Sequence, residues 1–221
     1  MPAGRCMLLA GDISETRLDD RGWRAIFVAG GAVELQRAKG AAERLDAGAG
    51  AALGREALVL SGCAPETRYW LWEMRGAHDS AAAPAEGLRE LLQHDLAETT
   101  DIANPELCLR LERVDLTLGA VTPRHTHAGP GLRVLLSGRL DARVGDIRVS
   151  LSEGDTWLER GPGEPVEGHA DPEVPTAFVR LMMLPPDMAG RDSFIPWNRA
   201  ESGRPRPASY QRFFEERIRL S

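Results

Sequence analysis

The sequence predicts an all-β protein of the sandwich or barrel type, and three observations point there. Apolar and polar residues alternate in short runs, and turn signals recur about every eight to twelve residues. One β-hairpin is clear: residues 139–144 and 147–152 alternate on either side of the two-residue turn Gly145-Asp146. Each strand of this hairpin therefore has one face in the core and one in water.

Further strands are predicted on both sides of this hairpin. In the second half of the chain they cover residues 107–118, 132–136, 156–159 and 176–184. The first of these changes its alternation near Arg113, which indicates a bulge. In the first half they cover residues 23–28, 33–37, 57–61 and 68–74.

One short helix is predicted between the halves. Four leucines lie at helical spacing within residues 85–99, after a proline: Leu88, Leu91, Leu92 and Leu96. We therefore divide the chain into a first half (1–80), a linker with this helix (81–104), a second half (105–190) and a C-terminal tail (191–221). The aromatic residues of the tail predict that it docks, extended, on the other half or on a partner subunit.

The two halves resemble each other faintly. Residues 57–62 are similar to residues 133–138, and residues 68–74 to residues 176–182. This similarity predicts that the halves are two copies of one barrel unit.

Composition and charge exclude several classes of protein. The 221 residues carry a net charge of −6, so the basic surface of a nucleic-acid binder is missing. No apolar stretch is long enough to cross a bilayer, so we expect no membrane partner. The three cysteines have no close spacing, which favours neither a disulfide framework nor a thiolate zinc site. We expect a cytoplasmic protein.

His125 and His127 are the most informative residues for chemistry. Two residues at this spacing on an extended strand point to the same face. If that face lines a cavity, both imidazoles reach one metal ion, and neutral imidazole suits iron, zinc, copper and nickel. The alternative is a pair of surface histidines in a loop after Pro123.

The segment around these histidines resembles the first motif of the cupin superfamily. That motif has a glycine, a His-x-His pair, a glutamate and a second glycine, and Gly119, His125, His127 and Gly138 fall at its spacing. The resemblance implies a cupin-like double-stranded β-helix, or jelly-roll barrel, over about residues 107–184. The first half would then be a degenerate second barrel, which makes the chain a bicupin.

Two ligands of the cupin motifs are missing from this chain. The glutamate position falls on Gly131 or Leu132, and the third histidine position falls on Val166. Two residues are candidates to complete a metal site: Glu159, otherwise a solvated carboxylate at a strand end, and His169, otherwise an exposed turn residue. Trp157 shares the strand face of Glu159 and is a candidate to contact the cofactor.

The first half lacks a site under this interpretation. The positions aligned with the His-x-His pair, near residues 45–47, hold no ligand. Aromatic residues stand in this half instead, and they either pack in its core or form the interface of a homodimer: Tyr69, Trp70 and Trp72.

The resemblance implies a metal-dependent dioxygenase or isomerase that acts on a small organic molecule. Its catalytic residues would be His125, His127 and Arg133, with Arg133 pairing to a substrate carboxylate or, alternatively, serving as a surface charge on its strand. The divalent metal ion would be iron, zinc, manganese or nickel. The alternative function is a metal-free cupin that binds a small-molecule ligand as a binding or regulatory module.

Overall fold

The computed structural model describes residues 4–77, 82–98 and 106–220. Across these ranges the chain forms β-strands and two short 3-10 turns, Leu96–Glu98 and Pro186–Met188, and no α-helix occurs in them. Nothing helical in the described ranges is long and apolar enough to cross a membrane. The chain divides into unit 1, which holds the described residues up to 98 together with Leu220, and unit 2, which holds residues 106–219.

Unit 1 consists of antiparallel sheets that share an aliphatic core. Along the chain its strands are β1 (Arg5–Gly11), β2 (Thr16–Leu18), β3 (Gly22–Gly30), β4 (Ala32–Arg37), β5 (Glu43–Asp46), β6 (Gly50–Gly54), β7 (Leu58–Gly62), β8 (Arg68–Arg75) and β9 (Arg89–Asp95). Their order is β6-β3-β8-β1-β9 in one sheet and β2-β7-β4-β5 in the other. Side chains from both sheets meet in a buried cluster that includes Leu9, Leu18, Ile26 and Leu71.

Unit 2 is built in the same way from the rest of the chain. Its strands are β10 (Glu106–Leu116), β11 (His125–His127), β12 (Gly131–Ser137), β13 (Arg139–Val144), β14 (Ile147–Ser152), β15 (Thr156–Glu159), β16 (Val166–Ala170), β17 (Thr176–Leu184), β18 (Phe194–Pro196) and β19 (Ala208–Arg219). Their order is β15-β12-β17-β10-β19 in one sheet and β14-β13-β16-β11-β18 in the other. The core between these sheets includes Leu135, Leu140, Trp157 and Phe178.

The strand orders of the two units match position by position. In the first sheet of each unit, β6, β3, β8, β1 and β9 correspond to β15, β12, β17, β10 and β19. In the second sheet, β5, β4, β7 and β2 correspond to β14, β13, β16 and β11. Unit 2 adds one strand at the end of this sheet, β18, which lies beside β11 and so beside the two histidines.

A glycine turn repeats in both units and fixes which residues correspond. Gly31 and Gly138 have φ angles of 64° and 77°, in the left-handed region that favours glycine. A Cβ at Gly31 would lie 2.8 Å from Oγ1 of Thr67, and one at Gly138 would lie 2.7 Å from Oγ1 of Thr176. Each threonine hydroxyl donates to the carbonyl of the residue after its glycine. The same turn therefore joins β3 to β4 and β12 to β13.

Most of the strands predicted from the sequence are present. The hairpin of β13 and β14 has the predicted bounds, and β15 and β17 begin and end where predicted. The bulge expected near Arg113 is a register shift between Leu111 and Glu112 in the pairing of β10 with β19. Tyr69, Trp70 and Trp72 are buried in unit 1, so they belong to its interior.

The predicted helix over residues 85–99 is wrong. Residues 89–95 form β9, which pairs antiparallel with β1 and places Leu92 opposite Leu8. The helical spacing of the leucines is a local preference, and the backbone hydrogen bonds offered by the edge of β1 outweigh it. Residues 81 and 99–104 of the predicted linker lie outside the described part of the chain.

The C-terminal tail is extended, and its strands complete the sheets of unit 2, the half that it follows. β19 pairs with β10 along its whole length, from Glu106 to Leu116, and β18 pairs with β11.

The similarity between residues 57–62 and 133–138 does not reflect corresponding positions in the two units. Residues 57–62 lie in and next to β7, which corresponds to β16, whereas residues 133–138 begin in β12. The similarity between residues 68–74 and 176–182 does reflect the fold, because β8 and β17 occupy corresponding positions in their sheets.

The crowded glycine turn predicts a local difference in stability. Gly138→Ala puts a Cβ 2.6 Å from the carbonyl oxygen of Pro175 at a left-handed φ, whereas Gly154 has a φ of 88° and no atom within 4 Å of its Cβ position. We expect Gly154→Ala to lower the free energy of unfolding by about 1–2 kcal/mol, and Gly138→Ala by a further ~1–3 kcal/mol. Urea unfolding measures both; equal losses would contradict this account of the turn.

Candidate functional site

The two histidines lie in the interior of unit 2, on the short strand β11. His125 and His127 are both buried, and their rings meet edge to face with centroids 4.8 Å apart. β11 pairs with β16 on one side and with β18 on the other, with Val166 and Pro196 both opposite His125. The sheet thus fixes the backbone that carries both imidazoles, and the surface-loop alternative for this pair is wrong.

Hydrogen bonds fix which nitrogen of each imidazole faces inward. Nδ1 of His125 lies 2.7 Å from the carbonyl oxygen of Pro123, so it carries the proton and donates. Nδ1 of His127 lies 3.4 Å from Oγ of Ser193, whose hydroxyl lies 3.5 Å from the sulfur of Met182. The network assigns a proton to Nδ1 of His127 as well. Both Nε2 atoms are then unprotonated, and that of His127 faces Nη1 of Arg180 at 3.5 Å.

A residue of the C-terminal segment stacks on the imidazole ring of His125. The ring of Phe194, on β18, stacks on that of His125 with centroids 4.2 Å apart and an angle of 15° between planes. The guanidinium of Arg206 lies 3.8 Å from the centroid of the Phe194 ring and pairs with the carboxylate of Asp192. This stack stiffens one wall of the site.

Glu159 joins the histidines from the neighbouring sheet. Its carboxylate lies 3.4 Å from Nε2 of His127, and one ligand atom from each of the three side chains lies within 4.8 Å of the others. Glu159, on β15, is the direct ladder partner of Gly131, where the motif glutamate would fall. The missing carboxylate is thus supplied from the adjacent strand, and a Cβ at Gly131 would lie 2.8 Å from Nη1 of Arg133.

The Glu159 carboxylate is held in place by two buried groups. Its Oε1 accepts a hydrogen bond of 3.0 Å from Nε1 of Trp157. Its Oε2 lies 2.6 Å from Nη2 of Arg133, which is fully buried, but the contact lacks hydrogen-bond geometry. Oε2 is therefore a buried acceptor that forms no hydrogen bond, and the guanidinium of Arg133 compensates its charge through the ion pair alone.

A second charged group approaches the histidines from β17. Arg180 is buried and binds Glu112 through two nitrogens, Nε at 3.2 Å and Nη2 at 2.8 Å. Its remaining nitrogen, Nη1, lies 3.5 Å from Nε2 of His127. Glu112 also receives Arg212 at 3.2 Å. This arrangement places one arginine donor directly at the histidine cluster.

The cluster opens into a small cavity of about 50 Å³, which is several times the roughly 10–15 Å³ that one water molecule needs. The walls are mostly apolar and aromatic, from strands of both sheets and from β19. Among the lining residues are Leu140, Trp157, Phe178, Phe194 and Tyr210.

Burial and the two arginines keep both imidazoles neutral. Burial lowers the pKa of His125, with smaller contributions from Arg180 and Arg133, against the opposing effect of Glu159. For His127, burial first and then Arg180 and Arg133 lower the pKa well below its usual 6.5. Burial also lowers the pKa of Arg133 to about 10, which leaves it charged at neutral pH. Neutral imidazoles are the form that binds metal ions.

Comparison with solved structures identifies the architecture. A variant of salicylate 1,2-dioxygenase from Pseudoaminobacter salicylatoxidans, in complex with gentisate, matches with a TM-score of 0.58 and 14% identity over 89% of this chain and 74% of that chain. AerE from Microcystis aeruginosa matches with a TM-score of 0.57 and 12% identity, over 83% of this chain and 88% of that one. A cupin 2 conserved barrel domain protein from Leptotrichia buccalis gives 0.51 and 11%, over 83% and 85%.

The chain has the cupin fold. No family model matches its sequence, and no curated protein matches it either. At identities this low the likeness concerns the fold, and cupin folds host many activities. The predicted all-β cupin barrel is therefore confirmed, except for its short connecting helix.

The described residues of unit 1 hold no counterpart of the site. Counted from the matching glycines, Leu18 stands where unit 2 has His125, and the exposed Asp20 stands where it has His127. This corrects the alignment with residues 45–47, because β2 and not β5 corresponds to β11. By strand register, Ile26 replaces Arg133.

Two sequence-predicted site residues lie elsewhere than expected. His169 is on the outer face of β16, where its side chain is half exposed and pairs with Glu167 at 2.9 Å, so it does not join the cluster. Alternation along β16 turns Val166, Gly168 and Ala170 inward and His169 outward. Arg133 is neither a surface charge nor a cavity-lining group, because its guanidinium is sealed behind the carboxylate of Glu159.

The sequence interpretation missed Arg180, Ser193 and Phe194. A signal for Arg180 was present, since it is the one charged residue in the otherwise apolar run of β17, all of which is buried. A charge inside such a strand is expensive without a partner and a purpose. Ser193 and Phe194 carried no comparable signal, because their importance arises only from the pairing of β18 with β11.

The neutral, buried histidines make stability depend on pH in a defined direction. Between the low folded-state pKa of His127 and the unfolded value near 6.5, the unfolded chain binds more protons, so stability falls as the pH falls. In metal-free protein, we expect wild type to lose about 1 kcal/mol more than His127→Gln between pH 7.5 and 5.5. Chemical unfolding at both pH values measures this; parallel losses would refute the burial argument.

Proposed function

We propose that unit 2 binds a divalent metal ion through His125, His127 and Glu159 and acts on a small organic molecule in the adjoining cavity. The observation that carries this proposal is the convergence of two unprotonated imidazole nitrogens and one carboxylate in the lining of a cavity. Two histidines and one carboxylate suit iron in particular, and also zinc, manganese and nickel. The reaction class is dioxygenation or isomerisation, by analogy with cupin-fold enzymes.

The donor set fits such an ion. Oε2 of Glu159 is buried and forms no hydrogen bond, and the network leaves both Nε2 atoms unprotonated. Metal–ligand bonds of about 2.0–2.2 Å require that two donors to one ion lie no more than about 4.4 Å apart. The three donor atoms lie within 4.8 Å of one another, so a small inward movement brings all of them into range.

The neighbouring residues orient the metal ligands and keep water out of the cavity. A bound ion supplies Lewis-acid or redox chemistry at its open coordination positions. Trp157 orients the carboxylate of Glu159, and Ser193 orients the imidazole of His127. Phe178, which packs against Trp157 with centroids 5.2 Å apart, keeps the cavity wall apolar and excludes water.

A metal-free binding module is the second candidate function, and one observation favours it. The carboxylate of Glu159 already lies against Arg133 and Trp157, so part of its charge is compensated by the protein itself. Under this alternative the histidines bind the ligand directly through their free nitrogens.

Location and assembly are proposed from the cysteines and the sequence. Cys6, Cys63 and Cys108 are all free thiols, two of them buried, which supports a reducing compartment such as the cytoplasm. A homodimer is proposed for the assembled protein, and molecular mass in solution tests it.

Metal content tests the proposed function. Protein purified without a histidine tag and loaded with iron, zinc, manganese or nickel should contain close to one equivalent of metal by elemental analysis. His125→Ala combined with His127→Ala removes two of three ligands and should abolish that content. His169→Ala is the matched control, because His169 faces solvent on the same sheet, and it should retain the metal.

Two results would count against the proposal. Equal metal content in the double variant and in wild type would show that the ion binds elsewhere. Wild type that takes up none of the four metals would favour the metal-free binding module.

A further inference from the structure

We propose that the cavity of unit 2 selects ligands that carry a carboxylate on an apolar body, and that Nη1 of Arg180 is the donor that recognises the carboxylate. This inference deepens the proposed function by naming the substrate class of the same site. Two of its arguments, the acceptor of Arg180 and the charge of the site, rest on the proposed metal; the comparison with unit 1 and the character of the cavity walls do not.

The position of Arg180 is the first argument. Its side chain is buried and lines the cavity, and two of its three nitrogens are held by Glu112, which fixes the direction of the third. That third nitrogen, Nη1, has Nε2 of His127 as its acceptor, at 3.5 Å. When His127 uses this lone pair for a metal ion, Nη1 needs another acceptor inside the cavity, and a ligand oxygen is the group available there.

The charge of the site is the second argument. Arg133 pairs with Glu159 and Arg180 with Glu112, which Arg212 also contacts, and the two histidines are neutral. A divalent ion adds two positive charges to a set that has no excess of negative charge, in an environment of low polarity where charge interactions are strong. An anionic ligand at the ion relieves the added positive charge, whereas a neutral ligand of the same shape does not.

The third argument comes from the residues of unit 1 that occupy the same strand positions as Arg180 and Glu112. In the matched strand registers, Leu71 stands in place of Arg180 and Leu9 in place of Glu112. Both leucines belong to the aliphatic core that fills unit 1. The fold therefore does not need this ion pair, and the pair occurs in the unit that also has the histidine cluster and the cavity.

The walls of the cavity define the rest of the ligand. Most of the other side chains that line the cavity are apolar or aromatic, including Val114, Leu140, Phe178 and Tyr210. Besides the metal-site residues, the charged exceptions are Glu167 and Arg206, and Arg206 is already paired with Asp192. An inorganic oxyanion would leave these walls unfilled, whereas an organic carboxylate with a ring or a branched chain buries apolar surface against them. The chemistry on both sides of the cavity thus favours a small apolar monocarboxylate.

Isothermal titration with benzoate, benzamide and inorganic phosphate tests this inference on wild type, with and without metal. Benzoate and benzamide have nearly the same shape and differ in charge. We expect benzoate to bind about 10–100-fold more tightly than benzamide, as a charge-assisted bond to arginine implies, and more tightly than phosphate. Benzoate should also tighten metal binding, since coupling between two ligands is reciprocal.

Glu112→Leu combined with Arg180→Leu copies the residues of unit 1 and leaves no lone buried charge behind. This double variant should lose the preference for benzoate over benzamide. Arg113→Leu is the matched control, because Arg113 lies on the same sheet, pairs with Asp115 and does not line the cavity; it should keep the preference. If the double variant does not fold, Arg180→Lys is the second variant. It keeps the positive charge but not the planar guanidinium, and it should reduce the preference for benzoate over benzamide several-fold.

Equal affinity for benzoate and benzamide, tighter binding of phosphate, or a preference that survives in the Arg180 variants would overturn the inference. So would wild type that binds none of the three. The two proposals fail separately. A carboxylate preference without metal binding retains this inference and removes the metal-dependent function. Metal binding without a carboxylate preference retains the metal-dependent function and removes this inference.

Discussion

The pairing of buried arginines with buried glutamates around His127 is the constraint on which the interior of unit 2 depends. Charged side chains are costly to remove from water, and loss of one partner of a buried pair costs about 3–5 kcal/mol. Here Arg133 lies against Glu159 and Arg180 against Glu112, so each charge near the histidines has an opposite charge within 3 Å. The same arginines keep the imidazoles neutral. One set of charges thus controls both the stability of the interior and the state of its ligands.

Comparison of the two units shows that this arrangement belongs to the site and not to the fold. Both units use the same strand order and the same glycine turn, but unit 1 has isoleucine or leucine at the positions of Arg133, Arg180 and Glu112. The buried charges of unit 1 lie at other positions, where Glu73 pairs with Arg24 and Arg75. Unit 2 also has the extra strand β18, which brings Ser193 to one histidine and Phe194 to the other. The polar interior, the cavity and the additional strand occur together, as expected if all three serve the same chemistry.

The sequence predicted those parts of the structure that depend on local pattern. Alternation and the Gly145-Asp146 turn defined the hairpin, and the spacing of His125 and His127 placed both rings on one face. Glu159 was predicted as a third candidate from its strand parity alone, and the structure brings it to the cluster. These inferences succeed because side-chain direction in a strand follows directly from position.

Features that depend on pairing between distant strands could not be predicted in this way. The leucines near residue 90 have helical spacing, yet the edge of β1 makes them a strand. Strand β19 is exposed at an edge and so lacks clear alternation, and its pairing with β10 is visible only in the fold. His169 had a suitable side chain, but the register of β16 turns it to solvent. Arg133 was recognised as important but assigned to the ligand, because nothing in sequence shows that Glu159 lies between.

The most direct test of the account is a crystal structure of metal-loaded protein with anomalous diffraction data collected at the absorption edge of the metal. The account predicts a single strong anomalous peak in unit 2, bonded to Nε2 of His125, Nε2 of His127 and the carboxylate of Glu159, with no peak in unit 1. A map with no peak between these three side chains, or with the metal at His169, would contradict it.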